Sequence, residues 1–149
     1  LEDMFDGLDI SDSYGIENEI MKPGRDITAA LGYGYWARAS STVELLPDGS
    51  TTEIGDAINV IGLDDGWVLI GNPFTDYLPW SDNITFDCGN GDKNLTIATN
   101  LNYFDGNAYG YLADIGEYLE VEPGGSLAPW HGYFLNLRIS GCSITLKMN

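Results

Sequence analysis

Residues 66–74 read Gly-Trp-Val-Leu-Ile-Gly-Asn-Pro-Phe, and this stretch decides the fold. Four apolar residues, 67–70, stand between an Asp-Gly pair and a Gly-Asn-Pro sequence. A short apolar run between turn residues is typical of a buried β-strand. Pro73 ends the strand, because proline cannot extend the hydrogen-bonded ladder and restricts the residue before it. Because an aromatic ring offers a large apolar area, we expect Trp67 to be buried in the core.

Strand patterns of a similar kind continue along the chain. Tyr133, Leu135, Leu137 and Ile139 alternate with the residues between them, which predicts a strand with one buried face. Further strands are predicted at residues 43–46, 57–61, 84–86, 95–98, 102–104, 108–112, 118–121 and 142–148. Asp-Gly or Gly-rich turns separate most of them. The sequence therefore predicts an all-β protein, an antiparallel, jelly-roll-like β-sandwich.

Two other features complete this prediction. Helical signals are scarce, and the best of them is a single turn at residues 17–21 that ends before Pro23-Gly24. Residues 73–83 and 122–131 are the longest irregular stretches, and both contain Pro and Trp. We expect them to form ordered loops.

The chain also contains an internal repeat with an offset of about 100 residues, too long for a solenoid unit. Met-Phe-Asp-Gly at 4–7 returns as Tyr-Phe-Asp-Gly at 103–106. Residues 34–36 are similar to residues 132–134, and residues 42–45 are similar to residues 143–146. Residues 1–46 are therefore predicted to be a second-half copy, and 47–149 a complete module. The N-terminal strands are expected to pair within the chain; strand exchange that builds a dimer or filament is the alternative.

Composition narrows the classes of partner. The 149 residues contain 23 Asp and Glu but only 6 Lys and Arg, and the formal net charge is −17. Such a charge repels nucleic acid and anionic lipid and favours cationic partners. No apolar run approaches the roughly 20 residues that span a bilayer. We therefore expect neither nucleic acid binding nor a membrane span.

The two cysteines, Cys88 and Cys142, fit one disulfide in an oxidising compartment, although two buried free thiols would also fit the sequence. Neither cysteine has the Cys-x-x-Cys spacing of zinc or thioredoxin-like redox sites.

Residues 66–74, followed by Pro79-Trp80, resemble the "GWNLIGNPF…W" signature of a β-sandwich module. That module recurs near the C-termini of secreted and surface proteins of bacteria and archaea, including cargo of the type IX secretion system. Residues 103–109, 129–134 and 143–146 resemble its later motifs, so the likeness covers about 57–148; Val68 stands where the family usually has Asn. The resemblance implies an extracellular or cell-surface location, and a role in surface display, adhesion or accessory binding. The implied partners are other surface domains, copies of the same chain, or polysaccharide.

Candidate binding residues follow from side-chain type. Trp80, Trp130, Tyr77 and Tyr109 could stack on sugar rings if exposed, or could pack in the core and loops. The single histidine, His131, lies in an aromatic-Gly turn, and no serine stands in a nucleophile motif. We therefore expect no enzymatic activity and assign no catalytic residue.

An oxygen-rich turn offers calcium ligands at Asp87, Asn90, Asp92 and Asn94, although its spacing is not that of an EF-hand. A solvated hairpin turn is the alternative, and no other cofactor is expected. Asn83 and Asn94 begin N-glycosylation sequons.

These observations favour a non-catalytic structural or adhesive β-sandwich module of an extracellular surface protein or assembly. A carbohydrate-binding accessory module of a secreted enzyme is the alternative.

The excess of carboxylates predicts stabilisation by divalent cations. Calcium should raise the melting temperature more than a sodium salt of matched ionic strength, because a bound ion stabilises the folded state beyond charge screening. Calorimetric melts in both salts test this. Identical melting temperatures would mean that screening alone acts.

Overall fold

The computed structural model describes residues 10–17, 20–23, 31–34, 36–39 and 55–148. Within them the chain folds into two four-stranded antiparallel sheets packed face to face, which confirms the predicted all-β sandwich. The strands are β1 (Ile10–Glu17), β2 (Ile20–Pro23), β3 (Trp36–Ala39), β4 (Ala57–Leu63), β5 (Gly66–Gly71), β6 (Leu78–Pro79), β7 (Thr85–Asp87), β8 (Lys93–Asn94), β9 (Ala108–Leu112), β10 (Glu117–Val121), β11 (Ser126–Leu127), β12 (Gly132–Leu137) and β13 (Cys142–Lys147). One short helix, α1 (Leu95–Asn100), follows β8 in the described part of the chain.

The first sheet has the strand order β10-β9-β12-β5, and the second sheet has the order β4-β13-β7-β8. Strands β6 and β11 form a small two-stranded ladder, while β1 lies between β2 and β3 in a separate three-stranded sheet. Because β4 and β5 are joined by a short turn, the chain passes directly from an edge of the second sheet to an edge of the first.

Alternation along the strands builds the core between the two sheets. Tyr133, Leu135 and Leu137 of β12 are buried, as predicted, and they belong to the same buried cluster as Ile144 and Leu146 of β13. Strand β12 ends at Leu137, so the predicted alternation does not continue to Ile139, which is exposed.

Three aromatic rings anchor one end of this core. Phe86 and Phe104 stack with their ring centroids 4.6 Å apart, and Trp80 meets both rings edge to face. Trp80 is fully buried, and its indole nitrogen donates a 2.8 Å hydrogen bond to the carbonyl oxygen of Gly106. Burial of the ring therefore leaves no indole N–H unsatisfied.

The prediction that Trp67 is buried is wrong, because 48% of the residue is exposed. In the register of β5 on β12, Trp67 lies opposite Asn136, whereas Val68 lies opposite the buried Leu135. Val68 and Ile70 therefore face the core and Trp67 faces outward. Four consecutive apolar residues conceal this alternation, so the buried face could not be identified from the sequence.

Other predicted elements also need correction. Residues 95–98 form the first part of α1 rather than a strand, because the Asn94 side chain accepts a 2.9 Å hydrogen bond from the backbone N–H of Ile97 and caps the helix. Residues 102–104 form turns and bends. The predicted helical turn at 17–21 falls on two strand ends, where Glu17 of β1 pairs with Ile20 of β2.

The two predicted loops, 73–83 and 122–131, are ordered because they pair with each other. They contribute β6 and β11, and backbone hydrogen bonds join Trp80 to Gly124 and Gly125 next to this ladder. The strand predicted at 43–46 lies outside the described residues.

An N-terminal segment, residues 32–34, pairs with the outer edge of β5. Gly34 donates a 3.1 Å hydrogen bond to Leu69, and Gly71 donates a 2.7 Å bond to Gly32. The Tyr33 hydroxyl donates to the Ile61 carbonyl oxygen at 2.5 Å and accepts from the Ile61 N–H at 3.1 Å. This segment therefore bridges the two sheets within one chain. The division into a partial copy at 1–46 and a full module at 47–149 stays a prediction.

A disulfide joins Cys88, just after β7, to Cys142, at the start of β13. It links positions 54 residues apart. Of the two possibilities that the sequence left open, the cysteines therefore form a disulfide and are not free thiols. No helix in the described ranges is long and apolar enough to cross a membrane.

The two tryptophans provide a matched test of this arrangement. Trp80→Ala should lower the free energy of unfolding by about 3–5 kcal/mol, because it empties a buried site. Trp67→Ala should cost about 1 kcal/mol, since nearly half of its surface already meets water. Denaturant melts of both variants measure the difference. Equal losses would mean that the β5 register is wrong.

Candidate functional site

The outward side of the first sheet carries a row of aromatic side chains, here called the aromatic face. Register places them together: Tyr118 of β10 lies opposite Tyr111 of β9, and Tyr109 of β9 lies opposite Phe134 of β12. Trp67 of β5 completes the row on the far side of β12. The aromatic face comprises Trp67, Tyr109, Tyr111, Tyr118 and Phe134.

The rings touch one another across all four strands. Trp67 meets Tyr109 at a centroid distance of 5.6 Å and Phe134 at 6.4 Å, both edge to face. Tyr118 continues the row, 6.1 Å from Phe134 and 5.2 Å from Tyr111. The exposed fraction is 48% for Trp67 and 61% for Tyr118. Exposed aromatic surface that is contiguous, rather than scattered, is typical of an interaction site.

A glycine between two tyrosines lets the row form. Gly110 points toward the core, where a Cβ atom would lie 2.9 Å from Cε1 of Tyr133. Its two neighbours, Tyr109 and Tyr111, consequently point outward together. The Tyr133 ring fills the space beneath the glycine, and its hydroxyl accepts a 2.7 Å hydrogen bond from the Ala128 N–H.

Carboxylate and amide groups border one end of the aromatic face. The Tyr109 hydroxyl donates a 2.9 Å hydrogen bond to Oδ2 of Asp105. Asn107 donates through Nδ2 to Oε1 of Glu120, which lies opposite Tyr109 in the sheet. Burial raises the pKa of Tyr109, and the hydrogen bond to Asp105 raises it further.

The four predicted sugar-stacking residues lie in different environments. Tyr109 belongs to the aromatic face, while Tyr77 and Trp130 are exposed on the loops that precede β6 and β12. Trp80 is fully buried, so of the two roles that the sequence left open it packs in the core. Trp67, Tyr111, Tyr118 and Phe134 were not predicted as binding residues from the sequence. The Tyr-Gly-Tyr alternation at 109–111 was the signal for part of this row.

The exposed loop residues are held by a buried asparagine. Asn72 is 1% exposed, and its Nδ2 donates to the carbonyl oxygens of Asp76 at 3.0 Å and Leu127 at 2.9 Å. Its Oδ1 accepts from the Phe74 N–H at 3.0 Å. Backbone bonds join Asn72 to His131 and Trp130, both at 3.1 Å. One side chain therefore fixes the loop after β5 against the loop before β12.

The predicted calcium turn is organised around a lysine. The Lys93 ammonium donates to the backbone carbonyl oxygens of Asn90 at 2.7 Å and Gly91 at 3.1 Å. Asp87 accepts from the Gly89 N–H through Oδ1, and Asn94 caps α1. Asp92 also lies in this turn, with its carbonyl oxygen 3.5 Å from the ammonium. Calcium at this turn stays a prediction, and the Lys93 ammonium already binds backbone carbonyl oxygens of the turn.

Of the two sequon asparagines, Asn83 is exposed in the turn before β7, whereas Asn94 is half-buried with its side-chain oxygen engaged as the helix cap. Asn83 is therefore the more accessible of the two.

His131 is exposed, and no group of three or more His, Cys, Asp or Glu residues in the described ranges is arranged to hold a metal ion.

No protein-family model, curated protein or solved structure matches the chain.

The contact between Tyr109 and Asp105 predicts a measurable titration. The pKa of Tyr109 should lie above the ordinary value of 10.0, and Asp105→Asn should lower it, because the variant removes a negative charge beside the hydroxyl. Tyrosinate absorbance, compared with that of Tyr109→Phe, isolates this group. An unchanged pKa in Asp105→Asn would contradict the assigned contact.

Proposed function

We propose that this chain is a non-catalytic adhesive β-sandwich module of an extracellular surface protein, and that it contacts its partner through the aromatic face. The observation that carries the proposal is the continuous row of rings, with Trp67 and Tyr118 both about half exposed or more. Such a surface stands apart from the single exposed apolar residues that any soluble protein carries.

The geometry of the rings suits adhesion. Tryptophan and tyrosine contribute most to binding energy at interfaces, because they bury a large area at a small cost in side-chain entropy. Edge-to-face contacts hold Trp67 against Tyr109 and Phe134, so its ring is ordered before a partner arrives. Preorganisation of this kind lowers the entropic cost of binding.

Two features support an extracellular setting. The Cys88–Cys142 disulfide is typical of proteins that fold in an oxidising compartment. The net charge of −17 keeps a surface module soluble despite its exposed aromatic face. The resemblance of residues 66–74 to modules of secreted surface proteins is consistent with the same setting.

A carbohydrate-binding accessory module is the second candidate, and the polar border of the aromatic face favours it. Asp105, Asn107 and Glu120 cluster around Tyr109, within the same face as the Trp67 ring. Carboxylate and amide oxygens accept hydrogen bonds from sugar hydroxyls, while an aromatic ring covers the apolar side of a sugar.

Adsorption measurements test the proposal and separate the candidates. The chain is presented to beads coated with lysozyme, a basic protein, or with albumin, an acidic one, and to insoluble chitin and cellulose. Adhesion through the aromatic face predicts adsorption to a protein surface that falls about tenfold in Trp67→Ala and in Tyr118→Ala, as expected for interface hot spots.

Tyr77→Ala and Trp130→Ala are the matched controls, because both remove an exposed aromatic ring from a loop. They should leave adsorption unchanged. Adsorption to chitin or cellulose alone, with loss in Trp67→Ala, would replace adhesion with carbohydrate binding. Loss only in the loop variants, or in no variant, would refute the aromatic face as the contact surface.

A further inference from the structure

Strand β10 is an end strand of the first sheet. Its five residues pair with β9 on one side, and among the described strands none pairs with its other side. An open strand edge presents backbone N–H and C=O groups that can bind another extended chain. The strand is also well exposed: of its five residues, only Val121 is buried.

The exposure of Leu119 shows that the core-facing side of β10 is also left uncovered by the described elements. Alternation places Leu119 on the same face as Val121, and its partner in β9 is the core-facing Gly110. Val121 is buried, yet Leu119 is 48% exposed because no described element lies beyond it. A strand added beside β10 would cover this leucine with its own inward-facing side chains.

The charge around β10 identifies the kind of chain that fits. Between Lys93 and Arg138 the sequence contains no Lys or Arg, but it contains five acidic residues. Two of them, Glu117 and Glu120, lie in β10 itself and are exposed. A second copy of this chain would place like charges side by side, which disfavours self-pairing.

We propose that β10 binds an extended basic segment of a partner protein by strand addition, in which Lys or Arg alternates with Val or Ile. On the outward face, a basic side chain would lie beside the Tyr118 ring and the Glu120 carboxylate, where cation–π attraction and charge pairing act together. On the inward face, an apolar side chain would cover Leu119. Backbone hydrogen bonds to β10 supply affinity, and the alternation supplies specificity.

This proposal goes beyond the adhesive function, because it names a partner chemistry and uses the β10 edge. Tyr118 belongs to both surfaces, whereas Trp67 belongs only to the aromatic face. Trp67→Ala should therefore weaken adhesion through that face and leave strand addition intact, so the two proposals fail independently.

The test uses a nine-residue peptide that alternates lysine and valine, and compares it with a peptide of the same composition in which lysines and valines form two blocks. The intact chain should bind the alternating peptide more tightly, with affinity that falls as salt is added. Backbone amides of β10 that face the open edge should exchange more slowly when it is bound. Equal binding of both peptides, or unchanged amide exchange, would show attraction by charge alone and overturn strand addition.

Charge reversal supplies the matched variants. Glu117→Lys with Glu120→Lys should weaken binding of the alternating peptide about tenfold, since the charge pair at Glu120 becomes repulsive and Glu117, at the end of β10, changes from attracting to repelling the same basic segment. Asp64→Lys with Asp76→Lys changes the net charge equally at exposed sites outside β10 and should have a much smaller effect. An equal loss in both pairs of variants would overturn the proposal. So would protection of β10 amides by self-association at high protein concentration, because a second copy would then be the occupant.

Discussion

The buried side chain of Asn72 is the constraint on which the rest of the structure depends. An amide inside an apolar core is costly unless its hydrogen bonds are satisfied. Asn72 is satisfied within its own loop by Asp76 and Phe74, and by Leu127, which lies 55 residues away in sequence. The two loops must therefore adopt one mutual arrangement for the amide to be buried at all. Asparagine is specific here because it donates and accepts within one planar group.

This constraint extends into the first sheet. Asn72 follows β5 directly, and its backbone bonds with Trp130 and His131 fix the point at which β12 begins. Gly132 then lies opposite Gly71, and the register runs on to place Asn136 opposite Trp67. A shift of β5 by one residue would turn Trp67 inward and turn Val68 and Ile70 outward. The asparagine thus helps determine which aromatic rings reach the surface.

The sequence predicted the parts that depend on local chemistry. Alternation along 133–137 identified a one-sided strand, and the disulfide was one of two options that the cysteines allowed. The direction in which Trp67 points was hidden, because every residue at 67–70 is apolar and only pairing with β12 sets the face. The segment Leu95–Ala98 was equally ambiguous, because its pattern fits either a strand or a helix. The Asn94 cap favours the helix that the structure contains. The aromatic face depends on register between distant strands, so no single segment could have predicted it.

Part of the stretch at residues 66–74 has a role in folding. Its Asn-Pro-Phe portion supplies the buried amide of Asn72 and the fully buried ring of Phe74. The same stretch also supplies Trp67, whose ring lies on the exposed aromatic face. Tyr111, Tyr118 and Leu119 lie outside every stretch that resembles the signature, yet they form much of the outer rim of the first sheet. The aromatic face therefore draws Trp67 and Phe134 from stretches that resemble the signature, and Tyr111 and Tyr118 from outside them.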